Sequence, residues 1–434
     1  MEEKLLYHIW DAGHLKHELI TVSGKPLVIK YQGQFNTFRG PDFVNSYINL
    51  GGEDIRGDIE IHVSTQDWLR HSHHEDHFYN NVVLHVVLNH NGVGKSTLKE
   101  NGEFAEILEL KDQLSDDVQK LIANPPQERT QTRGSYCSLL SAIDNDRLQA
   151  ILSFHGKQRF HSKVRRFNAS LTLSDFDQVL YEGMMEAAGY DKNKLNLLQL
   201  AQRLAIARFK DWQKDGMSSL EMLSILTGSS GLLALSKGRL PESLFQKLKD
   251  TYESQAYFAR RIQLDWQLFR IRPGNHPILR LCYLTDFVYK SLEQGLLNKL
   301  IEEIEQKKPD SKLRYKLFKQ LMSNMDNPYG MPQTGLGASV VNNIYFNIYL
   351  PVMYLYASKM ADSNMEESVL KSWMEFSSLQ ENYITRFMSR QINPGQTKLV
   401  NSKSVYQQGL MNIFYRTCKY NLCDECMEIT RNND

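Results

Sequence analysis

Two short stretches of this 434-residue chain concentrate the residue types that metal-assisted hydrolysis needs. Phe38-Arg39-Gly40-Pro41-Asp42 puts a carboxylate on a turn, and Gly57-Asp58-Ile59-Glu60-Ile61-His62 follows after one apolar segment. Alternation along a strand sends Glu60 and His62 to one face and Ile59 and Ile61 to the other. Two carboxylates and an imidazole converging in this way suit a divalent cation, which acidifies water and offsets charge on a phosphate. Asp42, Glu60 and His62 are therefore the candidate catalytic residues and metal ligands. His85 is a further candidate ligand, since an apolar strand offers a neutral imidazole few other partners. Asp58, on the face of Glu60, is a weaker candidate.

Ten of the thirteen histidines fall in the first 90 residues. Those at His71, His73, His74 and His77 read as polar positions on a solvated helix, because no pair has the companion set of a closed zinc site. Asn91-Gly92-Val93-Gly94-Lys95-Ser96-Thr97 imitates a phosphate loop, but the full pattern needs glycine at position 89, which is Asn. Asn-Gly is better read as a hairpin signal. Near the end of the chain, Cys418, Cys423 and Cys426 form a Cys-x4-Cys-x2-Cys triplet. Such thiolates could hold Zn²⁺ or an iron–sulfur cluster, with Cys137, Cys282 or a histidine as fourth ligand. Five cysteines, odd in number and sparse, suit a reducing compartment better than a disulfide scaffold.

The elements that must position these residues follow from periodicity. Residues 4–20 have apolar side chains at helical spacing, and Leu27–Tyr31, Phe43–Leu50, 57–63, Val82–Leu88 and Phe104–Leu110 read as strands. The continuous apolar run 82–88 predicts a strand covered on both faces. Between 57–63 and Val82–Leu88, Asp67-Trp68 opens a histidine-rich helix ending near Asn81. Pro125-Pro126 and its polar surroundings mark a linker. The expected organisation is an α/β module with a mixed sheet over 1–122, a linker over 123–140, a large all-α module over 141–392 and a small cysteine-bearing segment over 393–434.

Charge is divided unevenly. Residues 1–130 carry 12 Lys and Arg against 20 Asp and Glu, a balance of −8, and the remaining 39 basic and 30 acidic groups leave +9 beyond. Within the helical module Lys157, Arg159, Lys163, Arg165 and Arg166, and further on Arg270 and Arg272, interleave with Phe160, Phe167 and Phe269. Cations alternating with aromatics are what a nucleic-acid backbone with stacking partners requires, whereas a solvated helix face with aromatics in the core is the commoner arrangement. The start, Met1-Glu2-Glu3-Lys4, lacks an apolar signal core, and no apolar run reaches the length of a membrane span, so a cytoplasmic location is expected.

The order helix, strand, strand, strand, helix, strand, with Asp42 before the second strand and Glu60-x-His62 on the third, resembles the PD-(D/E)XK restriction-endonuclease-like nucleases. The resemblance implies Mg²⁺ or Mn²⁺ held by Asp42 and Glu60, and a nucleic-acid substrate, DNA or RNA. His62 stands where that superfamily has lysine. The departure implies a softer metal such as Zn²⁺, a displaced lysine, or lost catalysis. Longer phrases resemble the bacterial domain-of-unknown-function 2851 family. These are Gly-Pro-Asp-Phe, Gly-Asp-Ile-Glu-Ile-His-Val, Asp67-Trp68, His71-Ser-His73, Ala188-Gly189-Tyr190, Arg272-Pro-x-Asn275-x-Pro277, Asn393-Pro394-Gly395 and Gln408-Gly409-Leu410. The expected function is metal-dependent nucleic-acid hydrolysis. The alternatives are a binding or scaffold protein with a degenerate nuclease core, and a metal-dependent hydrolase of a small molecule.

Overall fold

The structure, a computed structural model, describes residues 3–92, 94–115, 118, 137, 140–190, 192–255, 261–323, 329–331, 336–423 and 426. The chain divides into two units, one of residues 1–173, 381–401 and 406–434, the other of residues 174–380 and 402–405. These units do not follow the boundaries drawn from sequence, because the first helix beyond the linker stays with the sheet. The linker itself lies outside the described residues except for Cys137 and Leu140.

The first unit opens with helix α1 (Glu3–Ala12). The expected helix to residue 20 stops here: Gly13 takes φ +73°, its N–H bonds Trp10 O, and Leu19 enters a strand. The sheet contains β1 (Leu19–Ile20), β2 (Pro26–Tyr31), β3 (Gln34–Phe35), β4 (Phe43–Leu50), β5 (Glu53–Ser64), β6 (Val82–Asn89), β7 (Ser96–Leu98) and β8 (Phe104–Glu109). Spatial order is β1-β2-β4-β5-β6-β8-β7, with β3 on β4. Strands β2, β4 and β5 form an antiparallel meander, β5, β6 and β8 run parallel, and β7 returns antiparallel to β8. The sheet is therefore mixed, as expected. Strand β7, in place of a helix, begins at Ser96 within the stretch that imitates a phosphate loop, but Asn91-Gly92 does not close a hairpin: β6 pairs in parallel with β8, and the antiparallel turn lies between β7 and β8 at Lys99–Gly102.

Alternation decides which side chains meet. Ile59 and Ile61 of β5, with Leu84 and Val86 of β6, join Leu6, Ile9 and Trp10 of α1 in one buried cluster. Glu60, His62 and His85 are buried on the opposite side of the pleat. That side is covered by residues 67–79, which form a one-turn helix α2 (Asp67–Arg70) and two 3₁₀ turns, His73–Glu75 and His77–Tyr79, where one continuous helix was expected. Ser72, left-handed at φ +59°, breaks the helix. Trp68 and Tyr79 pack with Val82 and Ala105, and Trp68 Nε1 donates to Leu98 O at 3.0 Å.

Helix α3 (Asn145–Ser170) is capped by Asp144, whose carboxylate accepts the Arg147 N–H. Its partner is the helix Ser404–Arg416. Gln149 bonds Tyr406, Arg159 bonds Gln408, and Asn412 bonds both His155 and Gln158. The second unit is helical from Phe176–Ala188 to Ser363–Glu375. At its interior Arg314 and Glu305 form a buried two-point pair at 2.9 and 3.0 Å, further held by Ser368, Ser372 and Tyr349. The architecture is a mixed sheet followed by a large helical region. Among the described residues no helix is long and apolar enough to cross a membrane.

Candidate metal centre

The β5–β6 pairing places Glu60 beside His85, and the turns after α2 bring two further imidazoles over the strand. His62, His71 and His73 each offer a ligand atom, all within 4.8 Å of one another. His62 Nε2 lies 3.2 Å from His71 Nδ1 and 3.4 Å from Glu60 Oε1. His73 Nε2 lies 3.1 Å from the same Glu60 oxygen, yet it is buried without a hydrogen-bond partner among the described residues. Ligands sharing one tetrahedral ion at bonds of 2.0–2.1 Å stand about 3.3 Å apart. The observed spacings match that edge, and the orphaned ring nitrogen is the kind of atom a cation satisfies. Three imidazoles with a carboxylate against two of them fit a divalent ion, and imidazole donors favour Zn²⁺ or Mn²⁺ over Mg²⁺.

The groups behind these atoms hold them in place. His62 Nδ1 meets His85 Nε2 at 2.9 Å, and His85 Nδ1 meets Thr97 Oγ1 at 2.9 Å. With His62 Nδ1 protonated and donating to His85, Nε2 is left as a lone pair aimed at His71 and Glu60. Both nitrogens of His85 are thus engaged, which corrects its assignment as a ligand: it orients His62 instead. The Tyr79 ring stacks on His73 at 3.8 Å and Trp68 meets the same ring edge-on.

Asp42 sits beside the centre. Its Oδ2 accepts the Ile61 N–H at 2.9 Å and Tyr7 donates its phenol to the same carboxyl, while the Asp42 N–H donates to Glu60 Oε2 at 3.0 Å. A bulge in β4, with Asn45 at φ +57°, makes this possible, and the Asn45 N–H takes Asp58 Oδ1 at 2.9 Å. Asp58 therefore closes a strand contact away from the imidazoles.

Burial dominates the electrostatics. It pushes the Glu60 carboxyl up to about 8, and, with Glu60 as a like charge, Asp42 also up to about 8. It holds His62 down at about 2 and His85 at about 3, with the other imidazoles adding to the effect, and lowers His73 too. At neutral pH His62, His73 and His85 are therefore uncharged, and a cation would draw the carboxyls into their ionised form.

The remaining candidates are dispersed. Lys157 and Arg165 are exposed on α3, but Arg159 turns inward to Gln408 and over the Tyr415 ring. Phe160 and Phe167 are core residues, which corrects their reading as stacking partners. Arg270 and Arg272 are exposed in the second unit, with Arg270 over the exposed Phe269 ring at 5.0 Å. Cys418, Cys423 and Cys426 lie in the first unit, apart from the histidine cluster.

Sequence reasoning passed over three residues near the centre. His71 and His73 were assigned to a solvated helix, although their x-Ser-x spacing across a tight bend was a usable signal. Lys419 comes from the far end of the chain: its amine lies 3.0 Å from the Phe35 ring centroid. Burial lowers it to about 8, while Asp11 and Asp42 pull it upward. No local sequence pattern pointed to it.

The family described as "Protein of unknown function (DUF2851)" matches residues 3–382. The chain belongs to this family. No curated protein and no solved structure matches it. The family match spans the histidine centre and ends before the cysteine triplet.

Proposed function

We propose that this DUF2851 chain is a metal-dependent hydrolase of nucleic-acid phosphodiesters, working at His62, His71, His73 and Glu60. The observation that carries the reading is the convergence of three imidazoles on the Glu60 carboxylate with one buried ring nitrogen left unpartnered. A divalent ion at these residues supplies Lewis acidity toward water and a phosphate oxygen. Glu60 is placed to accept a proton from water, since a bound cation would hold its carboxyl ionised and its second oxygen is held by the Asp42 N–H. Asp42, fixed by Ile61 and Tyr7, keeps Glu60 oriented. Lys419 adds a cation in the field of Asp42, the charge that His62 in place of lysine omits from the strand.

The substrate class is supported by a likeness in order: apart from the two-residue strands β1 and β3, the chain runs α1-β2-β4-β5-α2-β6 with a parallel β5–β6 step, which resembles the restriction-endonuclease-like core. The exposed Lys157 and Arg165 on α3 add cations suited to phosphates. A specific observation favours a second reading: a centre of three histidines also suits a Zn²⁺ hydrolase of a small molecule. The test is turnover of labelled single- and double-stranded DNA and RNA with Mg²⁺, Mn²⁺ or Zn²⁺, in wild type and His73→Ala. Cleavage with Mn²⁺ or Zn²⁺ that vanishes in His73→Ala supports the nuclease. Tight metal binding without cleavage of any nucleic acid moves the assignment to the small-molecule hydrolase.

A further inference from the structure

Apart from one short turn at Pro273–Asn275, residues 261–275 have no regular secondary structure, yet the second unit pins them at close intervals. The Ile262 N–H bonds Ser229 O, and the buried Trp266 donates its indole N–H to Ser230 O, each at 2.8 Å. Asn196 donates to Asp265 O at 2.8 Å. Asn193 is buried in the turn between the helices Phe176–Ala188 and Lys194–Arg203, and it bonds both the N–H and the carbonyl of Gln267, as a neighbouring strand would. Lys192 donates to Phe269 O at 2.8 Å. Arg280, buried in the helix Pro277–Tyr289, bonds Asn275 Oδ1 and Ala188 O at 2.7 and 2.6 Å. Side chains thus supply the bonds a sheet would give, and they fix the segment against the turn at 189–193.

What this framework holds up faces water. Phe269 is 75% exposed and Tyr190 43% exposed. Arg270 at φ +54° and Tyr190 at φ +57° are both left-handed, a conformation that residues with a side chain seldom adopt away from functional or tightly constrained positions. The Arg270 guanidinium lies over the Phe269 ring, 5.0 Å from its centroid, and the buried Arg280 lies over the Tyr190 ring at 5.3 Å. Around the two rings Lys192, Arg261, Arg270 and Arg272 are exposed, and Asp265 is the one carboxylate among the described residues of 188–196 and 261–280.

Charge and shape select the occupant. An anchored ring left outside the core is open to a planar partner, and cations beside it favour a partner that carries negative charge. A nucleotide is both, with a flat base to stack and a phosphate for guanidinium or ammonium. Bases in a duplex already stack on one another, so an open ring selects an unpaired strand. An acidic peptide answers the charge but not the exposed plane. We propose that Phe269 and Tyr190, with Lys192, Arg270 and Arg272, form a single-stranded nucleic-acid surface on the second unit, where a base stacks on Phe269 and the cations hold phosphates. This rests on the nucleic-acid reading of the hydrolase and narrows it to unpaired strands.

The test is fluorescence anisotropy of the full chain in chelator, which reads binding apart from cleavage. The probes are labelled DNA and RNA oligonucleotides, each single-stranded or annealed to its complement. Wild type should prefer the single strand. Phe269→Ala should weaken single-strand binding about 5- to 100-fold, the range for one lost base–aromatic stack. Arg272→Ala should lower the slope of log affinity against log salt by about 0.7, one phosphate contact on a single strand. Both side chains are exposed, and circular dichroism checks that the variants remain folded. Phe104→Ala, which removes an exposed ring of the first unit, should bind as wild type does. Unchanged single-strand binding in Phe269→Ala, or equal affinity for strand and duplex, overturns the proposal. So does equal displacement of the strand by polyglutamate. Single-strand binding that depends on Phe269, with no cleavage under any metal, leaves this surface standing without the nuclease. Cleavage with unchanged affinity in Phe269→Ala does the reverse.

Discussion

Replacing His85 with leucine tests the centre without touching a ligand. His85 is fully buried between His62 Nδ1 and Thr97 Oγ1, each at 2.9 Å, and in the proposed centre it takes the His62 Nδ1–H, which leaves His62 Nε2 as a lone pair for the ion. Losing the outer partner of a metal-bound imidazole typically weakens metal binding 10–100-fold, or about 1.4–2.8 kcal/mol. Folding is affected in two opposing ways. His62 Nδ1 and the Thr97 hydroxyl each lose a partner, at about 1–3 kcal/mol, while a buried leucine side chain returns about 1.5–3 kcal/mol. The metal-free variant should therefore stay within about 3 kcal/mol of wild type, and the deficit should appear in metal affinity. Chelator competition with Zn²⁺ and Mn²⁺ reads the affinity, and urea unfolding of the metal-free protein reads the fold. Unchanged affinity in His85→Leu, alongside lost binding in His71→Ala and His73→Ala, would refute the claim that His62 is oriented through His85.

Glu60→Gln should change the pH dependence of the metal-free protein. Burial raises the Glu60 pKa in the folded state, so folding takes up a proton and the group's contribution is greatest below its unfolded pKa of 4.5 and is lost as pH rises through about 8. The glutamine variant should accordingly be more stable than wild type at pH 8 and lose that advantage toward pH 4.5, as read by urea midpoints. An advantage that grows toward acid pH would contradict the assignment. Gly409→Ala tests the pairing of α3 with the helix Ser404–Arg416. A methyl there would stand 2.2 Å from Leu152 O and 2.8 Å from Leu152 Cα, against backbone that cannot turn aside. The expected cost is about 3 kcal/mol, larger than the helix-propensity gain of about 1 kcal/mol. An unchanged melting temperature would mean that the two helices do not approach as closely as described.

The legible parts of the sequence were those where one local period dominates. The β5 alternation put Ile59 and Ile61 in the core and Glu60 and His62 opposite, and the apolar run of β6 became an interior strand between two parallel neighbours. The segment 67–79 misled because its polar histidines look like a solvated surface. Each is short-range polar chemistry, and only the roof of Trp68 and Tyr79 shows that His73 is turned inward. The basic run on α3 misled in the opposite direction. Its charges suggested one binding face, but a helix spreads such residues around its axis, and Arg159 bonds inward to Gln408.

The sequence by itself determined the mixed α/β module, the helical region beyond it and the carboxylate and imidazole residues of the candidate centre. These follow from hydrophobic period and side-chain chemistry, which are properties of nearby residues. Only the tertiary structure decided which residues meet. Asp42 reaches Glu60 through a bulge in β4, and His71 and His73 reach His62 through a left-handed bend at Ser72. Arg159 and His155 of α3 meet Gln408 and Asn412 because packed helices, rather than chain proximity, set their neighbours. Contacts between distant segments depend on how whole elements bury their faces, and no local stretch of sequence contains that information.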